Sequence, residues 1–233
     1  MTTKSIAIII ARGGSKRIPR KNIKLFLGEP IIKFSIDAAL SSNCFDEVMV
    51  STDDAEIAEV ALKYGTKVPF LRSKETSDDY ATTADVLIEV LNEYKKMDKH
   101  FEYGCCIYPT APFVNADKLR NGLNELKNSG ALSLIPVTRF SYPILRSLKI
   151  ENNKLYMNWP EYMNIRSQDL APAFHDCGQF YFFKVKEFLI NKKLFTENTI
   201  AFEIPETEVQ DIDSEEDWIF AEMKYSFLLQ KEK

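Results

Sequence analysis

Two groups of charged residues, widely separated in the sequence, have compositions suited to holding a polyphosphate. The first follows the apolar run SIAIII and places six basic residues, with no acid among them, within residues 12–24. They are Arg12, Lys16, Arg17, Arg20, Lys21 and Lys24. Gly13 and Gly14 let the backbone approach a ligand closely and expose its N–H groups. Because the whole chain carries a net charge of −4, this local concentration indicates a polyphosphate site, and the alternative is a solvated basic loop.

The second group is the acidic pair of QDIDS, in which Asp211 and Asp213 stand two residues apart. In an extended segment both side chains project from one face, roughly 6–7 Å apart. Two such carboxylates repel each other unless a cation lies near them, and Mg²⁺ prefers oxygen ligands and shares substrate phosphates. We therefore expect the pair to hold Mg²⁺. The alternative is an acidic helix start capped by Ser214, which accounts for Asp217 better than for the pair.

The basic loop matches neither of two common phosphate-binding motifs. The chain has no GxxxxGK[ST] and no GxGxxG, and Pro19 would interrupt a helix that opened there. We therefore expect a wrapped loop whose side-chain charges hold the phosphates. The missing GxGxxG also argues against a nicotinamide-dependent oxidoreductase, a competing class for an α/β chain.

The residues around these groups alternate between strand and helix patterns. Buried strands are predicted at SIAIIIA, EVMVS, KVPF, YGCCIYP, ALSLIPVT and GQFYFFKV. Helices are predicted over residues 30–41, 52–65, 79–96, 115–130 and 214–229. The second of these has Thr52 or Asp53 as its cap and Gly65 as its end. The alternation predicts a mostly parallel sheet with helices on both faces, in one domain over residues 1–233, with ligands beyond the carboxyl ends of the strands.

The pattern changes after about residue 137. YPILRSLKI, ENN and KLYMNW predict a β-hairpin with a polar turn at Glu151–Asn153. The hairpin belongs to an insertion over about residues 138–172, which we expect to serve as a flap or as a contact between subunits.

Composition narrows the class of protein. With 45% hydrophobic residues the chain can bury a large core, and a pI near 5.4 argues against binding nucleic acid or an anionic membrane. The apolar runs are strand-sized, so we expect neither a transmembrane helix nor a signal peptide. The four cysteines form no metal-binding pattern, and we expect them to be reduced residues of a cytoplasmic protein.

Several of these segments together resemble the N-acylneuraminate cytidylyltransferase family, whose members activate sialic-acid-like sugars. The resemblance runs through IIIARGGSKRIPRKN, VMVSTDD, PFLRSKETSDDYATT, YPTAPF, RSQDLAPAFHDCGQFY and VQDIDSEEDW, and so covers nearly the whole chain. It implies a Mg²⁺-dependent enzyme that joins CMP from CTP to the anomeric hydroxyl of a nine-carbon acidic keto sugar and releases pyrophosphate. It also implies a Rossmann-like α/β fold and a homodimer formed through the hairpin insertion.

The resemblance assigns roles to residues of the basic loop and beyond. The expected nucleotide-binding residues are Arg12, Gly13, Ser15, Lys21, Asn22, Arg72, Ala81 and Thr83. The expected catalytic residues are Arg12, Lys21, Asp211 and Asp213, and the two aspartates are also the expected metal ligands. Lys21 and Arg12 would offset charge on the phosphates while the sugar hydroxyl attacks the α-phosphorus in line. The base that deprotonates this hydroxyl is left open.

The carboxylate of the expected sugar is best met by an arginine fork. Arg166 matches the family's sugar-site arginine, and Arg146 is the reserve. Three residues at predicted strand ends are expected either to contact the sugar or to belong to the core: Tyr108, Gln179 and Tyr181. His175 is a further candidate sugar contact, with a purely structural role as the alternative.

Three positions depart from relatives that use N-acetylneuraminate. Those relatives commonly have glutamine in place of Tyr108, asparagine in place of Cys177, and glycine in the loop where Arg17 stands. Because these positions lie near the expected sugar or phosphates, we expect pseudaminic acid as the substrate. N-acylneuraminate and 3-deoxy-manno-octulosonate are the alternatives within the same class of reaction.

Overall fold

The computed structural model describes residues 4–231 of the chain, so residues 1–3 and 232–233 of the predicted domain lie outside it. The first half contains β1 (Ser5–Ile10), β2 (Leu25–Phe26), β3 (Glu29–Pro30), α1 (Ile31–Ser42), β4 (Glu47–Ser51), α2 (Ala55–Lys63), α3 (Thr83–Lys96), β5 (Tyr103–Ile107) and α4 (Ala116–Ser129). The second half contains β6 (Ser133–Arg139), β7 (Leu148–Glu151), β8 (Lys154–Met157), β9 (Phe174–Asp176), β10 (Phe180–Lys184), α5 (Val185–Asn191), β11 (Thr199–Glu203) and α6 (Glu215–Lys231).

The central sheet has seven strands in the order β11-β6-β10-β5-β1-β4, with β9 paired to β6. Pairs β1–β4, β1–β5 and β11–β6 are parallel. Pairs β10–β5, β10–β6 and β6–β9 are antiparallel. The α/β architecture predicted from the alternating pattern is therefore confirmed, as a mixed sheet whose β4-β1-β5 part is parallel.

Helices cover both faces of the sheet, and β1 shows why its sequence is continuously apolar. Ala7 and Ile9 project from one face into a core shared with α1 and α4. Ile6 and Ile8 project from the other face into a core shared with α3 and α5. A strand that is buried on both faces has no position at which a polar side chain would reach water.

The starts of α2 and α3 differ from the predicted helices by a few residues. Asp54 caps α2, because its Oδ1 accepts the Ile57 N–H at 3.0 Å; the predicted caps, Thr52 and Asp53, precede it. Helix α3 begins after Thr82, which forms a reciprocal capping box with Asp85, so residues 79–81 remain in the preceding loop.

The predicted strand at KVPF is wrong. Its place is taken by an isolated parallel bridge between Met49 and Lys67. Pro69, two residues on, has no N–H with which to continue a ladder of hydrogen bonds.

A third apolar cluster joins α6 to the loops at the carboxyl edge of the sheet. Trp218 and Ala221 of α6 pack with Ile18 from the basic loop and Ile212 from between the two predicted metal-binding aspartates. Segments almost 200 residues apart in sequence therefore share one small core.

The predicted hairpin is present as β7 and β8. Its turn residues Asn152 and Asn153 have φ of 51° and 59°, the left-handed values that a tight hairpin turn requires and asparagine tolerates. Most residues of both strands are exposed in the single chain. Among residues 4–231, no helix has both the length and the apolar character needed to cross a membrane.

Candidate active site

The two charged groups predicted from the sequence meet at the carboxyl edge of the sheet. Lys21 Nζ donates to the Ile212 carbonyl at 2.5 Å and lies 3.6 Å from an Asp213 carboxylate oxygen. Arg17 Nη2 donates to the same carboxylate at 2.7 Å. The loop after β1 and the segment before α6 therefore form one site.

A first cavity, of about 320 Å³, opens within the basic loop. It is lined by Arg12, Ser15, Lys16, Arg17, Lys21, Asn22 and Asp79. The buried Asn22 holds the loop together, since its Nδ2 donates to the Arg12 carbonyl at 2.8 Å. The positive lining suits a chain of phosphates.

The acidic loop before α3 covers this cavity. Arg12 Nη1 donates to Asp79 Oδ1 at 2.8 Å and to the Asp78 carbonyl at 3.1 Å, and Lys16 also pairs with Asp79. The hydrogen bond from Lys16 is the main reason that the pKa of the Asp79 carboxyl is lowered. The Asp79 carboxylate thus pairs with two of the cations that a phosphate would need.

Two of the six basic residues do not line the cavity. Arg20 turns toward α2 and pairs with Asp54 and Glu56. Lys24 pairs with Glu215, and its ammonium lies 4.6 Å from the Trp218 ring centre. Both residues fasten the loop to neighbouring elements.

A second cavity, of about 440 Å³, adjoins the first. It is lined by Lys21, Tyr108, Thr110, Asp176, Cys177, Gly178, Tyr181, Gln210 and Asp211. Lys21 lines both cavities, so its ammonium can act on groups held in either one. A site of this form can hold a phosphorylated ligand beside a second substrate.

The predicted cytidine-side residues line neither of the two cavities, although two of them contact or neighbour residues that do. Thr83 Oγ1 and the Tyr108 hydroxyl are 3.0 Å apart, and the Ala81 N–H donates to Asp78 Oδ1 at 2.7 Å. Arg72 Nη2 donates to the Ser51 carbonyl, at the end of β4, at 2.6 Å. Burial lowers the pKa of this guanidinium from its ordinary value.

The alternative to a metal role is that Asp211 and Asp213, like Asp217, serve the start of α6, but their surroundings differ from those of Asp217. Asp217 Oδ2 accepts the N–H groups of Asp213 and Ser214 at 3.1 and 2.8 Å, and Ser214 Oγ accepts the Asp217 N–H at 3.2 Å, so Ser214 caps α6 in a capping box with Asp217. The pKa of Asp211 is raised, first by burial and then by the charge of Asp213. The capping alternative therefore explains Asp217 but leaves Asp211 as a carboxylate facing the second cavity.

Asp211 and Asp213 provide the type of ligand atom that a hard cation such as Mg²⁺ prefers. Both side chains offer carboxylate oxygens, and a cation would offset the burial and the Asp213 charge that raise the pKa of Asp211. Within residues 4–231, no group of three or more His, Cys, Asp or Glu residues is arranged to hold a metal ion.

Three of the predicted sugar-binding residues do not line either cavity. Gln179 is buried, and its Nε2 donates to the Glu208 carbonyl at 2.7 Å. Arg166 lies on the insertion, where its Nε donates to Asp169 at 2.7 Å. His175 lies on β9, with its ring centre 4.8 Å from that of Phe140. Tyr108 and Tyr181, by contrast, face the second cavity, with ring centres 5.6 Å apart in an edge-to-face contact.

Sequence reasoning missed Asp79 and Asp176. Asp79 stands in the SDDYATT segment, in which the family resemblance points only to residues near the cytidine. Asp176 stands in HDCGQ, between His175, a candidate sugar contact, and Cys177, a position that differs from the relatives. In both cases, the available signal was an acidic residue next to a predicted ligand position.

A solved structure of CMP:2-keto-3-deoxy-manno-octonic acid synthetase complexed with CTP superposes on the chain with a TM-score of 0.70 at 17% identity. The match covers 98% of this chain and 100% of that one. The chain therefore has the same fold as that structure.

The sequence gives the family. The sequence model described as "Cytidylyltransferase" matches residues 6–204, and the chain belongs to the cytidylyltransferase family. A pseudaminic acid cytidylyltransferase of Campylobacter jejuni is 44% identical over 223 residues, which are 95% of this chain and 96% of that protein. A CMP-N,N'-diacetyllegionaminic acid synthase of Legionella pneumophila is 33% identical over 93% of this chain and 94% of its own length.

Proposed function

We propose that this protein joins CMP from CTP to the anomeric hydroxyl of pseudaminic acid, a nine-carbon acidic keto sugar, and releases pyrophosphate. The observation that carries the proposal is the position of Lys21, which lines both the basic cavity and the adjoining second cavity. A transferase of this kind must hold the triphosphate next to the attacking hydroxyl. The 44% identity to the Campylobacter jejuni enzyme supports the reaction and the choice of sugar.

The basic cavity suits the triphosphate. Arg12, Lys16 and Arg17 surround it with positive charge, while Lys21 stands at its border with the second cavity. When the sugar hydroxyl attacks the α-phosphorus, negative charge builds up on the phosphate oxygens, and the Lys21 ammonium is placed to offset it. Positioning and electrostatics then supply most of the rate enhancement, as in other phosphoryl transfers.

We also propose that Asp211 and Asp213 hold Mg²⁺. Two carboxylates leave coordination positions for water and phosphate oxygens, which is the usual way in which proteins bind this ion. When bound, Mg²⁺ would neutralise phosphate charge and help to align the reacting groups. The protein itself pairs Asp213 with Arg17 and Lys21, and these ion pairs hold the acidic pair next to the basic loop.

The hairpin insertion fits a homodimer contact. Four large side chains of the hairpin are 44–76% exposed in the single chain: Leu148, Ile150, Leu155 and Tyr156. A cluster of exposed apolar side chains is typical of a protein–protein contact. Pairing with a second copy would cover them. Arg166 lies on the same insertion, and its proposed role toward the sugar carboxylate depends on where a dimer would place it.

The setting we propose is the cytoplasm. Cys44, Cys105, Cys106 and Cys177 are all free thiols, as is usual in a reducing compartment.

Pyrophosphate release tests the proposal. The purified protein is given CTP and Mg²⁺ with pseudaminic acid, N-acetylneuraminic acid, N,N'-diacetyllegionaminic acid or 3-deoxy-manno-octulosonic acid, and a Lys21→Met variant serves as the inactive control. Strong release with pseudaminic acid alone is the expected result. Preferential release with another of these sugars would keep the reaction and correct the sugar, whereas no release with any sugar, from a protein that still binds CTP, would contradict the proposed function.

A further inference from the structure

One wall of the second cavity is built from two groups that hold each other in place. The Tyr181 hydroxyl donates to Asp176 Oδ2 at 2.7 Å, and Asp176 Oδ1 accepts the Gly178 N–H at 2.8 Å. This bond from the N–H two residues on is an Asx turn, and Gly178, with a φ of +60°, follows in the left-handed conformation that glycine adopts readily. Tyr181 is only 6% exposed on β10 and packs edge-to-face on Tyr108. The carboxylate is thus fixed by two hydrogen bonds and a packed ring.

The wall formed by Asp176 and Tyr181 offers only one kind of hydrogen-bonding group to the cavity. An ionised carboxylate only accepts hydrogen bonds, and each of its oxygens can accept more than one. Tyr181 has a single hydroxyl proton, which it already donates to Asp176, so its oxygen can only accept from a further group. Toward the cavity, Asp176 and Tyr181 therefore present hydrogen-bond acceptors and no donors.

Lys21 lines the same cavity, and its ammonium group is positively charged and only donates hydrogen bonds. An acidic sugar has one negatively charged group and several N–H and O–H donors. Its carboxylate is repelled by Asp176 and attracted toward the basic loop, while its donors are matched to the wall. A sugar bound the other way round would bring its carboxylate against that of Asp176.

We propose that Asp176, held by Tyr181, is a specificity-determining residue that binds an amide N–H of the sugar and so sets its orientation in the second cavity. The inference rests on the proposed function and adds to it a requirement for a hydrogen-bond donor on the side of the sugar that faces Asp176. The preferred substrates are therefore acidic sugars with N-acylamino substituents.

The test is steady-state pyrophosphate release by the full-length protein and by Asp176→Asn, Tyr181→Phe and the double variant. Asp98→Asn is the matched control, because Asp98 is fully exposed on the loop before β5, at the other edge of the sheet. Pseudaminic acid and 3-deoxy-manno-octulosonic acid, which has no amide, are compared as substrates. Asp176→Asn should raise the KM for pseudaminic acid roughly ten- to a hundredfold, as expected for a hydrogen bond to a charged group.

Three further results are expected if Asp176 acts on the sugar. The KM for CTP stays within about twofold of the wild-type value, the preference for pseudaminic acid over the amide-free sugar falls at least about tenfold, and the double variant is little worse than Asp176→Asn. Thermal unfolding of each variant separates these effects from loss of fold, and Tyr181→Phe provides the same test if Asp176→Asn is unstable.

The results that would overturn this inference differ from the result that would overturn the proposed function. Wild-type turnover together with an unchanged KM for pseudaminic acid in folded Asp176→Asn would overturn this inference and leave the proposed function intact. An equal loss with both sugars would also overturn it, since Asp176 would then serve the cavity in general. No turnover by the wild-type protein with any acidic sugar would overturn the proposed function, and this inference with it.

Discussion

Arg20 and Asp54 are joined at two points, with Nη1 to Oδ2 at 2.6 Å and Nη2 to Oδ1 at 2.9 Å. Arg20 adopts the left-handed conformation, with a φ of 54°, directly before Lys21, while Asp54 also caps α2. A Cβ atom at Gly13 would lie 2.6 Å from the same carboxylate. The first turn of α2 therefore fixes the basic loop from both of its sides, and Arg20 serves as a clamp for Lys21 and not as a phosphate ligand.

This clamp predicts an acid-sensitive contribution to stability. The hydrogen bond from Arg20 lowers the pKa of Asp54 from its ordinary 3.8 to about 2. A carboxyl whose pKa is lowered in the folded state stabilises the protein above the unfolded value, and the contribution is lost as the pH falls from about 4 to 2. Asp54→Asn, which keeps the helix cap, should lower the free energy of unfolding by about 1 kcal/mol at pH 7 and by much less near pH 2.

Urea unfolding at several pH values measures this difference. Glu56→Gln, which removes the more exposed partner of Arg20, is the control and should have a smaller effect. A constant difference between wild type and Asp54→Asn across this pH range would mean that the ion pair is not responsible.

Lys21 should be essential for turnover and nearly neutral for folding. Lys21→Met is expected to lower kcat by roughly a hundred- to a thousandfold, because a charge placed at the reacting phosphate is lost. Lys24→Met is the matched control three residues on, since Lys24 packs against Trp218 and should affect stability more than kcat. Single-turnover kinetics with saturating CTP would decide the matter, and near-normal kcat in Lys21→Met would show that its position between the cavities is incidental.

Asp211→Asn should cut turnover by orders of magnitude and leave folding intact, because burial and the charge of Asp213 raise the pKa of Asp211 and a bound cation would offset both. The Mg²⁺ concentration that gives half-maximal turnover should be higher for this variant than for the wild type. Asp217→Asn is the comparison, since Asp217 is the capping-box partner of Ser214, and this variant should be less stable but have an unaltered Mg²⁺ response. Equal Mg²⁺ titration curves for Asp211→Asn and the wild type would rule out the metal role.

Asp79 should act as a competitor of CTP. Its carboxylate pairs with Arg12 and Lys16, which line the phosphate cavity, so Asp79→Asn should lower the KM for CTP roughly two- to fivefold. Glu75→Gln, an exposed carboxylate of the same loop, is expected to leave this KM unchanged. If Asp79→Asn instead weakens CTP binding, the aspartate contributes to the bound state and does not oppose it.

The hairpin predicts the oligomeric state. Ile150 is 76% exposed, and Ile150→Lys should convert a dimer into a monomer, because a charge would be buried in the contact. Ile190→Lys makes the same change at a 69% exposed isoleucine on α5 and should leave the dimer intact. Light scattering after size-exclusion chromatography reports the mass. A wild-type monomer, or a dimer that persists in Ile150→Lys, would contradict the assignment.

Local patterns were sufficient for most of the fold. Periodic apolar residues predicted α1, α3 and α4, and the two-sided burial of SIAIII followed from its unbroken hydrophobicity. The basic loop and the acidic pair were also visible, since both depend on residue type and spacing. KVPF was misread because its apolar character outweighed Pro69, which prevents the ladder from continuing.

The partners of the charged side chains could not be read in the same way. Lys21 meets the Ile212 carbonyl across 191 residues because α6 packs its Trp218 beside Ile18 and Ile212 in one small core. Arg20 and Lys21 are adjacent and both basic, yet one turns to α2 and the other to the cavity. Residue type limits what a side chain can bind, but the order of the strands and the helices packed on them determines which loops meet, and so which of those contacts form.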